Sequence, residues 1–266
     1  MSKILFFNED CNETMRNMVN FNQKVDIVLT SPPYNTGRPS NSQRSRDNHE
    51  GRYDIHIDNM TQCVYCNWCI DLFNNFDKIL NNNGVILWNV SYGSDASVNT
   101  EGIGLVWLAI ADIIRNTGFT VADRIIWKKK TALPNNVSKN KLTRIVEDVL
   151  VFVRKTEYKT FNANKEVSSV GKNGQLFYKN YYNFIEAKNN DGACKLNKAT
   201  YSSDLCLQLL EIYANDNSVV YDPFIGTGTT AVACSKLGLT CFGSELSQEQ
   251  IKFAQNRLKE FRENLK

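Results

Sequence analysis

Long apolar runs are missing from this sequence. No stretch approaches the roughly 18–20 residues that a membrane-spanning helix needs. The opening residues, Met1-Ser2-Lys3-Ile4, lack the charged start, apolar middle and small-residue cleavage site of a secretory leader. A cytoplasmic protein is the expectation. Histidine is nearly absent, at two in 266 residues. That scarcity bears on Cys63, Cys66 and Cys69, whose C-x2-C-x2-C spacing could bind a metal. Only His56 lies near them as a fourth ligand, and the segment reads as helix. No metal is expected, and the eight cysteines read as free thiols in a reduced compartment. Neither sign of charge dominates: the net charge is +3, a weak pointer to a polyanion by itself. No internal repeat is present.

Hydrophobic residues make up 42% and charged residues 22%, enough apolar material for one large domain or a domain with an insertion. Strand-like runs at residues 4–7, 25–29, 85–90, 125–127, 149–153, 218–221 and 240–242 alternate with helical patterns. The helices are expected at residues 11–19, 61–80, 103–116, 202–214, 229–237 and 248–261. Such alternation predicts an α/β fold, a mostly parallel sheet with helices on both faces. Asn81-Asn82-Asn83-Gly84 is expected to end the second helix. Residues 35–59 are polar and read as a mobile loop of the lid or binding kind. Residues 128–141 and 155–198 are rich in Asn and Lys, lack periodicity and are expected to be irregular. From Arg124 to Lys159 there are ten Lys or Arg against three Asp or Glu. A patch of this kind attracts phosphates.

Two runs carry chemistry, each following a strand, where a ligand crevice opens in α/β sheets. The later one is Asp222-Pro223-Phe224-Ile225-Gly226-Thr227-Gly228-Thr229-Thr230. Gly226 and Gly228 allow backbone to approach a ligand closely. Thr229 and Thr230 begin a helix whose free N–H groups favour negative charge. The Lys of a phosphate P-loop is missing, and the turn is too short for a dinucleotide fingerprint. Glu245, 23 residues after Asp222, stands where an acid accepts from ribose hydroxyls. Phe224 adds a ring for a cationic sulfonium. S-adenosyl-L-methionine fits these features. The earlier run is Thr30-Ser31-Pro32-Pro33-Tyr34-Asn35. Its prolines stiffen the backbone after a strand end. The Ser31 hydroxyl and the Pro32 carbonyl are then fixed acceptors for an amino group, and Tyr34 offers a face for a base turned out of a helix.

These two runs, in this order, resemble the exocyclic-amino DNA methyltransferases of the permuted β arrangement. Ser31-Pro32-Pro33-Tyr34 is similar to their catalytic motif, and residues 222–228 to their cofactor loop. The resemblance implies a Rossmann-like S-adenosylmethionine-dependent methyltransferase fold over residues 1–266. Target-recognition segments would be inserted at residues 128–200. It places Asp10 and Cys11 near the cofactor's adenine, and Glu245 at its ribose with Ser247 just beyond. Thr200, Tyr201 and Ser202 stand where the family has a His-Pro sequence closing over the methionine tail, a departure from its pattern. Double-stranded DNA is the implied partner, contacted by Asn35, Arg38, Arg44, Lys128, Lys130, Lys139, Lys141 and Arg144. A homodimer and a cognate restriction endonuclease are further partners of such proteins; neither is required.

Ser31 is frequent in the cytosine-N4 enzymes of the family. The run from Ser31 to Arg38, with Ala187-Lys188-Asn189-Asn190-Asp191-Gly192, instead resembles small viral and phage-type adenine enzymes. The reading leans to N6 of adenine, with N4 of cytosine as the alternative. An RNA amino-methyltransferase and a non-catalytic DNA-binding subunit are the remaining rivals.

Overall fold

Alternation along the central strands sends successive side chains to two separate apolar layers, and each layer receives its own helices. The computed structural model describes residues 3–36, 58–132, 134–137, 139–192 and 200–264. The chain opens with β1 (Ile4–Phe7), α1 (Cys11–Asn20), β2 (Val25–Thr30), α2 (Gln62–Ile79) and β3 (Leu80–Val90). A small hairpin, β4 (Gly93–Asp95) and β5 (Thr100–Gly102), precedes α3 (Ile103–Asn116), β6 (Phe119–Lys129) and β7 (Val146–Arg154). A second hairpin, β8 (Val167–Val170) and β9 (Leu176–Tyr178), leads to β10 (Phe184–Ala187). The last part is α4 (Ser203–Tyr213), β11 (Val219–Asp222), α5 (Thr229–Leu237), β12 (Thr240–Ser244) and α6 (Gln248–Glu263).

Eight strands form one sheet in the order β1-β12-β11-β2-β3-β7-β6-β10. Only β7 runs against the rest. Ile86, Trp88 and Val90 of β3 pack with α1, α2 and α3, through Met15, Phe73, Phe76 and Ile113. Val85 and Leu87 of the same strand pack with α4, α5 and α6, through Leu205, Leu209, Ala233 and Ile251. Strands covered on both faces explain the near-continuous apolar runs.

Two expectations are corrected. The 81–84 run does not terminate α2 on its own: it forms the irregular start of β3, with Asn83 at φ 59°. The stretch 155–198 is not irregular throughout. It carries a hairpin, and β10 extends the sheet beside β6, pairing Phe184 with Ile126 and Ala187 with Lys129. Four residues are too few to show a period in the sequence. Residues 128–200 are therefore interleaved with the sheet, since β7 and β10 are sheet strands.

Residues 155–164 are tied to the body of the fold. Lys155 Nζ donates to the carbonyls of Ile114 and Thr117 at 2.6 and 2.8 Å. Asn162 N bonds the Asn83 carbonyl at 3.0 Å, and Asn164 Nδ2 that of Ala214 at 2.9 Å. These partners lie near the starts of β3, β6 and β11, at the end of the sheet opposite the two motifs. Residues 155–164 are thus far from the crevice, and it is the segment after β10 that returns to it.

Candidate active site

Strands β2 and β11 are parallel neighbours, with Val220 opposite Ile27 and Tyr221 opposite Val28. From β2 the chain winds through α2 to β3 on one side. From β11 it winds through α5 to β12 on the other. Strand order reverses between them, which opens a crevice beyond their carboxyl ends. Both motifs sit there, and Thr30 Oγ1 donates to Asp222 Oδ1 at 2.8 Å.

Asp222 is buried and held by donors from the protein. Oδ1 also accepts from Phe224 N at 3.0 Å; Oδ2 accepts from Thr230 Oγ1 at 2.6 Å and Tyr201 Oη at 3.1 Å. The Thr230 and Tyr201 hydroxyls also lie 2.6 Å apart, so one of them donates to the other. At most three of these donors therefore reach Asp222 at once, and a carboxylate with about four acceptor sites keeps one. Burial raises its pKa and these donors oppose the rise. Asp222 ties β2, the glycine loop, α5 and Tyr201 together. Thr230 is buried in the same network. Ser202 is fully buried, caps α4 by accepting from Leu205 N, and donates to the Lys188 carbonyl, so it too faces protein. Thr200 and Tyr201 do line the crevice.

The glycines divide in role. Gly226 has φ 51° and donates its N–H to Glu245 Oε2 at 3.2 Å. Gly228 has φ 83°, and a Cβ there would stand 2.8 Å from Ala254 Cβ. Its close approach is to helix α6, which the sequence reading did not foresee. Arg257 of α6 donates to Thr229 Oγ1 and the Thr227 carbonyl. Pro223 is buried. Glu245 is largely buried, which raises its pKa, and Oε1 accepts from Ser247 N at 2.9 Å. Ser247 itself caps α6. Asp10 caps α1 and is exposed, while Cys11 is buried and its thiol is pushed up to about 12, first by burial. Phe224 packs on Trp68 at 5.7 Å between centroids, and Trp68 stacks on Tyr65 at 5.6 Å. Cys66 and Cys69 of α2 are buried while Cys63 is exposed, and among the described residues no cluster could hold a metal ion.

On the proline side, Tyr65 Oη donates to the Pro33 carbonyl at 3.0 Å and fixes the turn. Ser31 Oγ lies 2.5 Å from Tyr34 Oη, and Tyr34 Oη donates to Asn89 Oδ1. Asn89 Nδ2 donates in turn to the Asp148 carbonyl at 3.1 Å. This order decides the direction of every proton. Asn89 must present its oxygen to Tyr34, so the single phenol proton is committed there. Ser31 is then the donor to Tyr34, and both of its lone pairs stay acceptors. Arg124 holds the Asp148 carboxylate by two bonds, at 3.0 and 3.2 Å. Asn89 sits on β3, 55 residues from Tyr34 in the chain, and no sequence signal singled it out.

A cavity of about 450 Å3 opens beside this corner, lined by Tyr34, Asn89, Tyr92, Trp127, Asn190 and Tyr201 among others. Lys141 and Arg144 of the basic stretch reach it, with Glu101 as their shared partner. Lys128 pairs with Glu186 at 2.7 Å and Lys130 with Asp204 at 3.9 Å. Lys139 is exposed. Asn35 is buried at φ 54°, donating to the carbonyls of Met60 and Ser94 and accepting from Met60 N. Its carboxamide is a brace for the turn. Arg38, Arg44 and most of the 35–59 loop lie outside the described residues.

The fold is that of the S-adenosylmethionine-dependent methyltransferases. Residues 25–256 match the DNA methylase family model for N6 and N4 enzymes. The chain belongs to that family, the exocyclic-amino DNA methyltransferases. Type II methyltransferase M.BglII of Bacillus subtilis is 26% identical over 247 residues, covering 86% of this chain and 62% of that protein. Type II methyltransferase M.HinfI of Haemophilus influenzae is 25% identical over 265 residues, covering 96% and 68%. Among solved structures, the cytosine-N4-specific PvuII DNA methyltransferase has a TM-score of 0.69 at 17% identity, covering 98% of this chain and 92% of that one. M1.HpyAVI in complex with S-adenosylmethionine has a TM-score of 0.59 at 21% identity, covering 96% and 98%.

Proposed function

We propose that this protein transfers a methyl group from S-adenosyl-L-methionine to the exocyclic amino nitrogen of a base turned out of duplex DNA. The observation that carries the reading is the Thr30–Asp222 bond, which joins the two motif-bearing strand ends at one crevice. The residues present fit the cofactor. Phe224 and Trp68 offer ring faces to a sulfonium. Glu245, at the end of β12, suits ribose hydroxyls. Asp58 is buried, and its Oδ1 has no hydrogen-bond partner among the described residues, an acceptor suited to the ammonium of the methionine tail. When bound, the cofactor supplies an electrophilic methyl and leaves as a thioether.

The chain's own residues treat the weak nucleophile. An amino group on a base delocalises its lone pair into the ring. Ser31 Oγ and the Pro32 carbonyl accept its hydrogens and concentrate that pair on nitrogen. Tyr34 holds the base by its face. No strong general base is needed, because the methylated amine is acidic and sheds its proton. Recognition falls to residues 128–144 and to the segment after β10, which line the cavity through Lys141, Arg144 and Asn190.

Adenine N6 is the proposed target, from the Ser31–Arg38 run. Cytosine N4 is a second reading, favoured by serine at the first motif position. A labelled-methyl assay with duplex DNA and with RNA tests the substrate class: label in DNA is expected, and label in RNA alone would overturn it. Calorimetry that found no cofactor binding would favour a non-catalytic DNA-binding subunit.

A further inference from the structure

Two cations expected to meet DNA phosphates end instead on one carboxylate. Arg144 Nη2 lies 3.3 Å from Glu101 Oε1, and Lys141 Nζ bonds the same oxygen. The Arg144 guanidinium also sits over the Tyr92 ring, 3.6 Å from its centre. All four side chains line the cavity that holds Tyr34 and Asn89. Glu101 belongs to β5, which the motifs do not involve.

We propose that Glu101 is an internal competitor for DNA phosphate, a latch that keeps Lys141 and Arg144 folded into the cavity until a phosphate takes them. The inference rests on the cavity being the base-receiving site. A carboxylate and a phosphodiester offer Lys and Arg the same anionic oxygens. The Lys141 bond, with Arg144 nearby, draws the Glu101 carboxyl below the usual range, so it is anionic at neutral pH. The three side chains are between 40% and 47% exposed. Ion pairs this open are weak and salt-screened, so a duplex, with its dense row of phosphates, displaces the carboxylate. While the latch is set, a planar cation covers the Tyr92 face, a surface on which an entering base could stack. Release therefore does two things at once: it frees cations for the backbone and uncovers a ring.

The test is fluorescence anisotropy with a labelled duplex of mixed sequence over a range of salt. Glu101→Gln keeps the shape of a half-exposed side chain and removes the charge. It is expected to bind the duplex about two- to tenfold tighter at low salt, with the gain fading as salt rises. Lys141→Gln/Arg144→Gln protein is expected to bind less tightly than the wild type, and adding Glu101→Gln to it to change nothing. Unchanged or weaker binding by Glu101→Gln at low salt overturns the latch. So does an equal gain in the Lys141→Gln/Arg144→Gln background, which would make Glu101 a general repulsive charge. If none of the four proteins binds the duplex, the DNA reading of the cavity falls, and the latch with it.

Discussion

Ser31, the proposed catalytic serine, is defined less by itself than by the three groups behind it. A hydroxyl can donate or accept, and only its neighbours decide which. Asn89, anchored to the Asp148 carbonyl, takes the Tyr34 proton and so leaves Ser31 an acceptor. Removing the Asn89 carboxamide frees that proton for Ser31 and competes with the amine for the same oxygen. Asn89→Ala is therefore expected to lower kcat about 10- to 100-fold with cofactor affinity by calorimetry within twofold of wild type. Unaltered turnover would refute the proton order. Much of this corner was legible beforehand: Ser31, Pro32, Pro33 and Tyr34 are consecutive, and proline pairs announce themselves. Asn89 was not, because hydrogen-bond partners 55 residues apart leave no local pattern. Asp222 was legible as important, but its network was not, since Thr30, Tyr201, Phe224 and Thr230 come from different parts of the chain.

At the scale of elements, the glycine loop is set by what packs on it. Gly228 holds a left-handed conformation, with α6 where its side chain would be. Gly228→Ala combines an unfavourable φ with a clash against Ala254. A loss of about 2–4 kcal/mol in denaturant unfolding is expected. Weaker cofactor binding should accompany it, because α6 carries Arg257 and is capped by Ser247 next to Glu245. A fully stable Gly228→Ala protein would show that the loop tolerates a side chain there. Long, two-sided strands such as β3 and β7 were readable from their apolar runs. β10 was not: four residues at a sheet edge, alternating exposed and buried, carry too little signal. Its consequence is functional, because its end returns the chain to the cavity at Asn189 and Asn190.

On the scale of the whole molecule, a weak net charge of +3 hides a basic edge that is largely neutralised from within. Lys128, Lys129, Lys130, Lys141 and Arg144 all meet carboxylates. Cations paired in this way bind polyanions by exchanging partners. Everything converges on the upper end of one sheet, where β2 and β11 lie side by side. The central claim is that this crevice methylates an amino nitrogen of DNA. Its most direct test is mass spectrometry of nucleosides from DNA of a methylation-deficient host expressing the protein. The account predicts N6-methyladenine, or N4-methylcytosine on the second reading, and its disappearance with Tyr34→Ala. DNA without either base, or carrying only 5-methylcytosine, would contradict it.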